Sequence, residues 1–93
     1  MRVVVKESTQ KGKKYMAKMP DKTIHFGAKG YEDFTQHKDE NRKENYIKRH
    51  RKNEEWNDPS TAGFWARHML WTKPTLQKAA KSLHTKGLNV VVK

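Results

Sequence analysis

The sequence predicts a small domain of the α+β class, in which a small antiparallel sheet packs on about three helices. Two observations predict this class. Short β-branched or alternating segments fill the first third of the chain and return at its end, whereas helical spacing fills the interval between them. A chain of 93 residues is also short enough that residues 1–93 should form a single domain with a compact core.

The sheet is expected to consist of a hairpin plus terminal strands. Arg2–Lys6 and Leu88–Lys93 are valine-rich runs, and β-branched residues favour strands. Residues 1–12 and 87–93 are therefore expected either to pair with each other and close the sheet, which we favour, or to extend as frayed tails.

A hairpin is predicted between the termini. Its two strands are Lys14–Met19 and Thr23–Phe26, separated by a turn that contains proline and aspartate. Glycines at both ends of Gly27–Gly30 then predict a bend with positive φ or a close approach of the backbone. Beyond the bend, Tyr31 and Phe34 are expected to fold back onto the sheet.

The first long helix is predicted over Glu40–Lys52, which contains neither glycine nor proline. Asp39 is the expected N-cap, because its carboxylate can accept from the free amides of the first turn. The apolar side is thin, with Tyr46 and Ile47 at its centre. This helix is therefore expected to need a docking surface elsewhere in the protein.

Two further helices are predicted over Ala62–Trp71 and Thr75–Thr85. The first carries the densest apolar cluster of the chain, which predicts that Trp65 and Trp71 lie in the core. The second has an apolar stripe at helical spacing. Pro74 is expected in its first turn, and Gly87 fits its C-terminal cap.

Charge is the strongest functional signal. The chain holds 21 Lys and Arg against 10 Asp and Glu, so its net charge is +11 with histidine neutral. A field of this sign attracts phosphate backbones. No apolar run approaches the roughly 20 residues that span a bilayer, and the absence of cysteine excludes disulfides. A soluble intracellular protein is therefore expected, with nucleic acid as its partner, DNA more than RNA.

The candidate binding residues form two basic groups. The first lies on the helix predicted over Glu40–Lys52, and the second lies in the turns of the hairpin and of the glycine bend. The first comprises Arg42, Lys43, Lys48, Arg49, Arg51 and Lys52; the second comprises Lys11, Lys13, Lys14 and Lys29. Phosphate contact requires only positive charge within reach, so mixed lysine and arginine suffice. The alternatives are a solvated helix face paired with nearby glutamates and a surface for an acidic protein. We expect the surplus cations to gather on one outer surface, and the hypothesis would fail if they were scattered evenly and neutralised by neighbouring acids.

Catalysis, cofactors and metals have little support in the sequence. The glycine bend lacks the spacing of a phosphate-binding loop, and the five histidines lack the spacing of a metal site. No serine stands in a nucleophile context. We therefore expect no enzyme activity, no catalytic residue, no cofactor, no metal and no small-molecule substrate. A small nuclease, or an inhibitor of one, remains a weaker alternative.

Four segments resemble a known family. They are His25–Asp39, Tyr46–Arg51, Thr61–Arg67 and Leu70–Leu76. Together they are similar to small basic proteins of unknown function encoded by large nucleocytoplasmic DNA viruses, including algal viruses. The resemblance implies a viral protein that is present in the cytoplasm or nucleus of the infected host and is packaged in the virion. It implies no activity and no site residues.

With the charge, the resemblance predicts a non-enzymatic, virion-associated protein that binds nucleic acid mainly through phosphates. The alternative is a minor capsid or other structural protein of the virion that contacts viral coat proteins.

Overall fold

The structure, a computed structural model, describes residues 2–52 and 56–93. It contains four strands, four α-helices and a short 3₁₀ turn. In chain order these are β1 (Arg2–Glu7), β2 (Lys13–Lys18), β3 (Thr23–Ala28), α1 (Phe34–His37), α2 (Glu40–His50), α3 (Ala62–Leu70), α4 (Leu76–Leu83), the 3₁₀ turn (His84–Lys86) and β4 (Asn89–Val92). The predicted α+β class is therefore confirmed.

The four strands form one sheet in the order β3-β2-β1-β4. The hairpin β2–β3 and the terminal pair β1–β4 are both present as predicted. The sheet is mixed rather than wholly antiparallel, because β4 runs parallel to β1, with Val3 opposite Val90 and Val5 opposite Val92. The chain reaches β4 through α3 and α4, which supply the crossover that a parallel pair requires.

One face of the sheet forms the core. Alternation along a strand sends successive side chains to opposite faces, and Val3, Val5, Ala17 and Phe26 are buried on the same side. There α3 packs on β3 and α4 packs on β4. The opposite side of β1 and β2 lies outside this core cluster and includes Met16.

The aromatic centre of the core is Trp65. Its side chain is 0% exposed, and its indole Nε1 donates to the carbonyl of Pro59 at 2.7 Å. Phe26 and Phe64 pack against it with ring centroids at 6.3 and 5.2 Å. Trp71 is partly buried and packs against the same cluster. The predicted core position is confirmed for Trp65, whereas Trp71 is only partly buried beside the core.

The structure corrects several predicted helix boundaries: α3 ends at Leu70 and α4 at Leu83, one and two residues before the predicted ends. Asp39 caps α2 as expected, since its carboxylate accepts from the backbone N–H groups of Asn41 and Arg42. The helix ends at His50, two residues before the predicted end. Pro74 lies outside α4 rather than in its first turn, because Thr75 is the N-cap and its hydroxyl accepts from the N–H of Lys78 at 3.1 Å.

A short helix that was not predicted from the sequence, α1, follows the glycine bend. Asp33 caps it, and Gln36 reaches back to the N–H of Asp33 to complete a capping box. Phe34 is buried beside His37 and beneath the Lys43 ammonium. Tyr31 is 75% exposed, so the expectation that its ring folds back onto the sheet is wrong.

Candidate nucleic-acid interface

A stacked pair of rings joins the helix α2 to the rest of the protein. Tyr46 is buried, and its ring lies parallel to that of Trp71, with centroids 4.2 Å apart and an interplanar angle of 2°. His50 lies on the same side of the helix, 4.3 Å from the Tyr46 ring. This contact fixes which side of α2 faces solvent.

Four cations lie on the solvent side of α2 and of the turn that follows it. We call Lys48, Arg49, Arg51 and Lys52 the α2 basic surface; all four are exposed. Across residues 2–52 and 56–93, no carboxylate lies within 4.0 Å of their charged nitrogens. Within that part of the chain, these charges face water without an acidic partner.

The two remaining predicted cations of α2 have intramolecular partners. The guanidinium of Arg42 lies 3.6 Å from the carboxylate of Glu32, and the ammonium of Lys43 lies 3.6 Å from that of Glu40. Lys43 also lies over the Phe34 ring at 4.8 Å. The Arg42 pair is exposed on both sides, and exposed pairs of this kind contribute only about 0–1 kcal/mol. A phosphate can therefore compete for Arg42.

The second predicted group is brought together by the backbone. The N–H of Lys29 donates to the carbonyl of Gly12 at 3.0 Å, which joins the glycine bend to the β1–β2 turn. Lys11 and Lys29 are exposed there, and Lys13 is half-buried. The turns that carry this group therefore lie side by side.

Lys14 occupies a different environment from the other cations of its group. Its ammonium donates to Asp33 Oδ2 and to Gln36 Oε1, both at 2.7 Å. The side chains of Lys14 and Asp33 are only 14% and 4% exposed. This pair ties β2 to the start of α1, so its charge is already satisfied within the fold.

A cleft of about 760 Å³ lies between the β2–β3 hairpin, α2 and α3. Lys13 and Lys14 approach it from the hairpin, and Arg42 and Arg49 approach it from α2. The fold therefore brings part of each predicted group to one concave site. Tyr31 also lines this cleft.

Four predicted cations of the first group and two of the second do not line the cleft. They are Lys43, Lys48, Arg51 and Lys52 from the first group and Lys11 and Lys29 from the second. Lys43 is held instead by Glu40 and Phe34. Lys29 lines a shallower neighbouring hollow of about 490 Å³.

The surplus cations are not gathered on one surface, contrary to the expectation. Arg2, Lys6 and Lys18 lie on the sheet face opposite the core, as their alternation with Val3, Val5 and Ala17 requires. A further set of exposed lysines lies on α4 and the 3₁₀ turn, namely Lys78, Lys81 and Lys86. Neither set was among the predicted binding residues. The alternation of basic residues and valines along β1 is the sequence signal that could have identified the cations of the sheet face.

Tyr15, which follows Lys14 on β2, also affects the electrostatic environment of the site. Burial raises the pKa of its phenol, and the negative charges of Asp33 and Glu7 raise it further. The Tyr15 phenol therefore stays neutral at neutral pH and adds no negative charge at this edge of the sheet.

Neither a metal-ligand cluster nor a membrane-spanning helix occurs among the described residues. Within that part of the chain, no group of three or more His, Cys, Asp or Glu side chains is arranged to hold a metal ion. Across the same residues, no helix has the length and apolar character needed to cross a membrane.

Comparison with known proteins gives one finding. A protein-family model, described as a family of unknown function, matches residues 3–50, which is slightly more than half of the chain. The match runs from β1 to the end of α2 and includes the cleft residues Lys13, Lys14, Arg42 and Arg49. No curated protein and no solved structure matches the chain.

Proposed function

The chain belongs to DUF5754, a family of unknown function, and we propose that it is a non-enzymatic protein that binds nucleic acid, DNA more than RNA. The α2 basic surface supports this proposal most directly. Its four cations are exposed, and no carboxylate of the described residues lies within 4.0 Å of them. The Tyr46–Trp71 stack holds the helix that presents them.

The proposed contacts are made mainly to phosphates. Lysine and arginine that neutralise phosphates release condensed counterions, so the affinity falls steeply as salt rises. The cations lie on α2, on the hairpin turns and on the sheet face. A nucleic-acid backbone that is flexible or bent can contact each of these surfaces. Because such contacts carry no base information, binding is expected to depend little on sequence.

We extend the proposal to a setting in a large DNA virus, with the protein packaged beside the genome. The four segments that resemble small basic proteins of such viruses support it, together with the net charge of +11.

A salt-dependent titration tests the proposed binding. Duplex DNA is titrated at two salt concentrations with the wild type and with the triple variant Lys48→Ala, Arg51→Ala, Lys52→Ala. The variant is expected to bind every sequence more weakly, and its salt slope should fall by about 1 for each phosphate that it no longer neutralises.

The matched control removes the same charge from α4 and the 3₁₀ turn by Lys78→Ala, Lys81→Ala, Lys86→Ala. It is expected to retain more affinity than the α2 variant. Equal reductions of affinity in the two variants would show that total charge, not the α2 basic surface, determines binding. No binding of the wild type at low salt would rule out the function.

A second candidate function is a minor structural role in the virion, with contacts to coat proteins. The edge strand β4 favours it, because β4 is one of the two outer strands of the described sheet and a neighbouring chain can add a strand there. Cross-linking in purified virions distinguishes the two. Cross-links from β4 to coat protein, without cross-links to the genome, would favour this second role.

A further inference from the structure

The cleft combines positive charge with an exposed aromatic ring. Of the Lys, Arg, Asp and Glu side chains that line it within residues 2–52 and 56–93, four are cations and two, Glu32 and Asp33, are carboxylates. Asp33 is already paired with Lys14 at 2.7 Å, and Glu32 is shared with Arg42 at 3.6 Å. Among the described residues, the cleft therefore keeps a surplus of positive charge after its internal pairs are made.

Tyr31 is unusual among the rings of this protein. In the described residues it is the large hydrophobic side chain that remains exposed, at 75%. It lines the cleft beside Glu32 and follows a glycine with a φ of 89°. An exposed tyrosine ring next to surplus cations is the arrangement on which unpaired bases stack in proteins that bind single strands.

The interior of the cleft has room for a base. Gly27, Ala62, Gly63 and Ala66 line it with small side chains or none. The partly buried Trp71 supplies apolar surface, whereas Phe26 and Leu70 behind it are each only 1% exposed. Its volume of about 760 Å³ lies within the range of sites that hold nucleotide-sized ligands.

Arg42 and Arg49 fit the role of phosphate ligands. They are seven residues apart on α2, which places them on the same side of the helix, and both line the cleft. The exposed Arg42–Glu32 pair can exchange its carboxylate for a phosphate. Lys13 lines the same cleft from the hairpin side.

We propose that this cleft takes an unpaired nucleotide of a single-stranded nucleic acid, with its base against Tyr31 and its phosphates at Arg42 and Arg49. The inference rests on the proposed nucleic-acid binding and adds that single strands are preferred. A base within a duplex is stacked and paired, so it cannot present its face to Tyr31 unless it is flipped out.

The test compares two strands that carry the same phosphates. One is a fluorescently labelled oligothymidine, and the other is an abasic strand of equal length. Fluorescence anisotropy is expected to show that the wild type binds oligothymidine more tightly than the abasic strand. Tyr31→Ala is expected to lose about tenfold in affinity for oligothymidine while its affinity for the abasic strand changes little.

Two further variants separate the base from the phosphate. Tyr31→Phe keeps the ring and is expected to retain the wild-type preference for oligothymidine. Arg49→Ala removes a phosphate ligand and is expected to weaken binding of both strands by the same factor. Oligouridine, titrated in parallel, distinguishes RNA from DNA as the natural source, and tighter binding of either strand than of its abasic counterpart supports the proposal.

Three results would overturn the inference. The first is equal affinity of the wild type for the oligothymidine and abasic strands. The second is that Tyr31→Ala lowers the affinity for both strands by the same factor. In these two cases the phosphate-binding function still stands, because both strands bind. If neither strand binds at low salt, the proposed function fails together with the inference. Because Tyr31 is exposed, Tyr31→Ala is expected to stay folded, which circular dichroism verifies.

Discussion

Asp33 shows how much of the behaviour of one residue depends on tertiary structure. Its Oδ1 accepts from the N–H of Thr35 at 3.0 Å and from the hydroxyl of the same residue, and its Oδ2 accepts from Lys14. In the sequence, Lys14 belongs to a run of lysines around a turn, and the carboxylate that binds it lies far along the chain. No local pattern could therefore show that Lys14 differs from Lys11 and Lys13.

His68 is a buried histidine on α3, and its environment makes stability depend on pH. It is 7% exposed, and its Nε2 lies 2.9 Å from the carbonyl of Trp56. Burial lowers the pKa of the imidazole, and the positive charges of Arg67 and Lys86 lower it further, although the hydrogen bond to Trp56 opposes them. The imidazole is therefore neutral in the folded protein at neutral pH.

We predict that His68 makes the protein less stable in mild acid. In the unfolded chain its pKa is about 6.5, and in the folded protein it is lower, so the unfolded state binds more protons between the two values. Stability is thus lost as the pH falls from about 6.5 toward the folded pKa. Urea unfolding at several pH values from about 7 to about 5 measures this. His68→Gln, which keeps a donor for Trp56, should depend less on pH than the wild type; an identical dependence would contradict the prediction.

At the scale of elements, periodicity explains which predictions succeeded. The helices α2, α3 and α4 and the hairpin β2–β3 each carry several residues at the correct spacing, so the sequence predicts their existence. With only four residues, α1 is too short for a helical period to be visible. The direction of β4 was missed for another reason: the valine pattern of a strand is the same whether its neighbour runs parallel or antiparallel.

Gly27 is an element-scale constraint that its sequence context only partly reveals. The sequence predicts a bend over Gly27–Gly30, whereas the structure places Gly27 inside β3 with a φ of 80°. A Cβ added there would lie 2.9 Å from Leu70 Cδ1 and 3.2 Å from Lys14 Cβ. The strand and α3 therefore approach each other closely because this residue has no side chain.

We predict that Gly27→Ala lowers the free energy of unfolding by about 2–3 kcal/mol, from the positive φ together with overpacking. Gly30→Ala is the matched control. Its φ is 89°, but no heavy atom lies within 4 Å of its added Cβ, so its cost should be about 1 kcal/mol from the backbone alone. Urea denaturation measures both. Equal costs at the two positions would show that the contact with Leu70 is unimportant.

At the scale of the whole molecule, the fold places the predicted binding residues on more than one surface. The sequence identifies the cations, but it cannot show that Arg42 and Arg49 share a cleft with Lys13 while Lys48 does not. That distinction depends on how α2 docks through Tyr46 on Trp71, a contact between residues far apart in the chain. Likewise, Arg2, Lys6 and Lys18 lie on the uncovered face of the sheet because α3 and α4 pack on the other face.

The family match ends where α2 ends, but the core does not. Val3, Val5 and Phe26 from the matched segment are buried against residues of α3 and α4. We predict that a fragment of residues 1–52 is unfolded, because it lacks the helices that cover its apolar face. Circular dichroism during thermal unfolding checks this. The full chain should unfold cooperatively, and a sharp transition in the fragment would contradict the prediction.

The parallel pair β1–β4 has a consequence for biosynthesis. A ribosome makes β1 first and β4 last of these elements, and the helices that cover β1 are also made late. The nascent hairpin β1–β2 and β3 can associate early through local pairing, but their valine and aromatic face stays uncovered until nearly the whole domain has been translated. During that interval the growing polypeptide exposes an aggregation-prone surface, so its yield in cells should depend on chaperones that shield nascent chains.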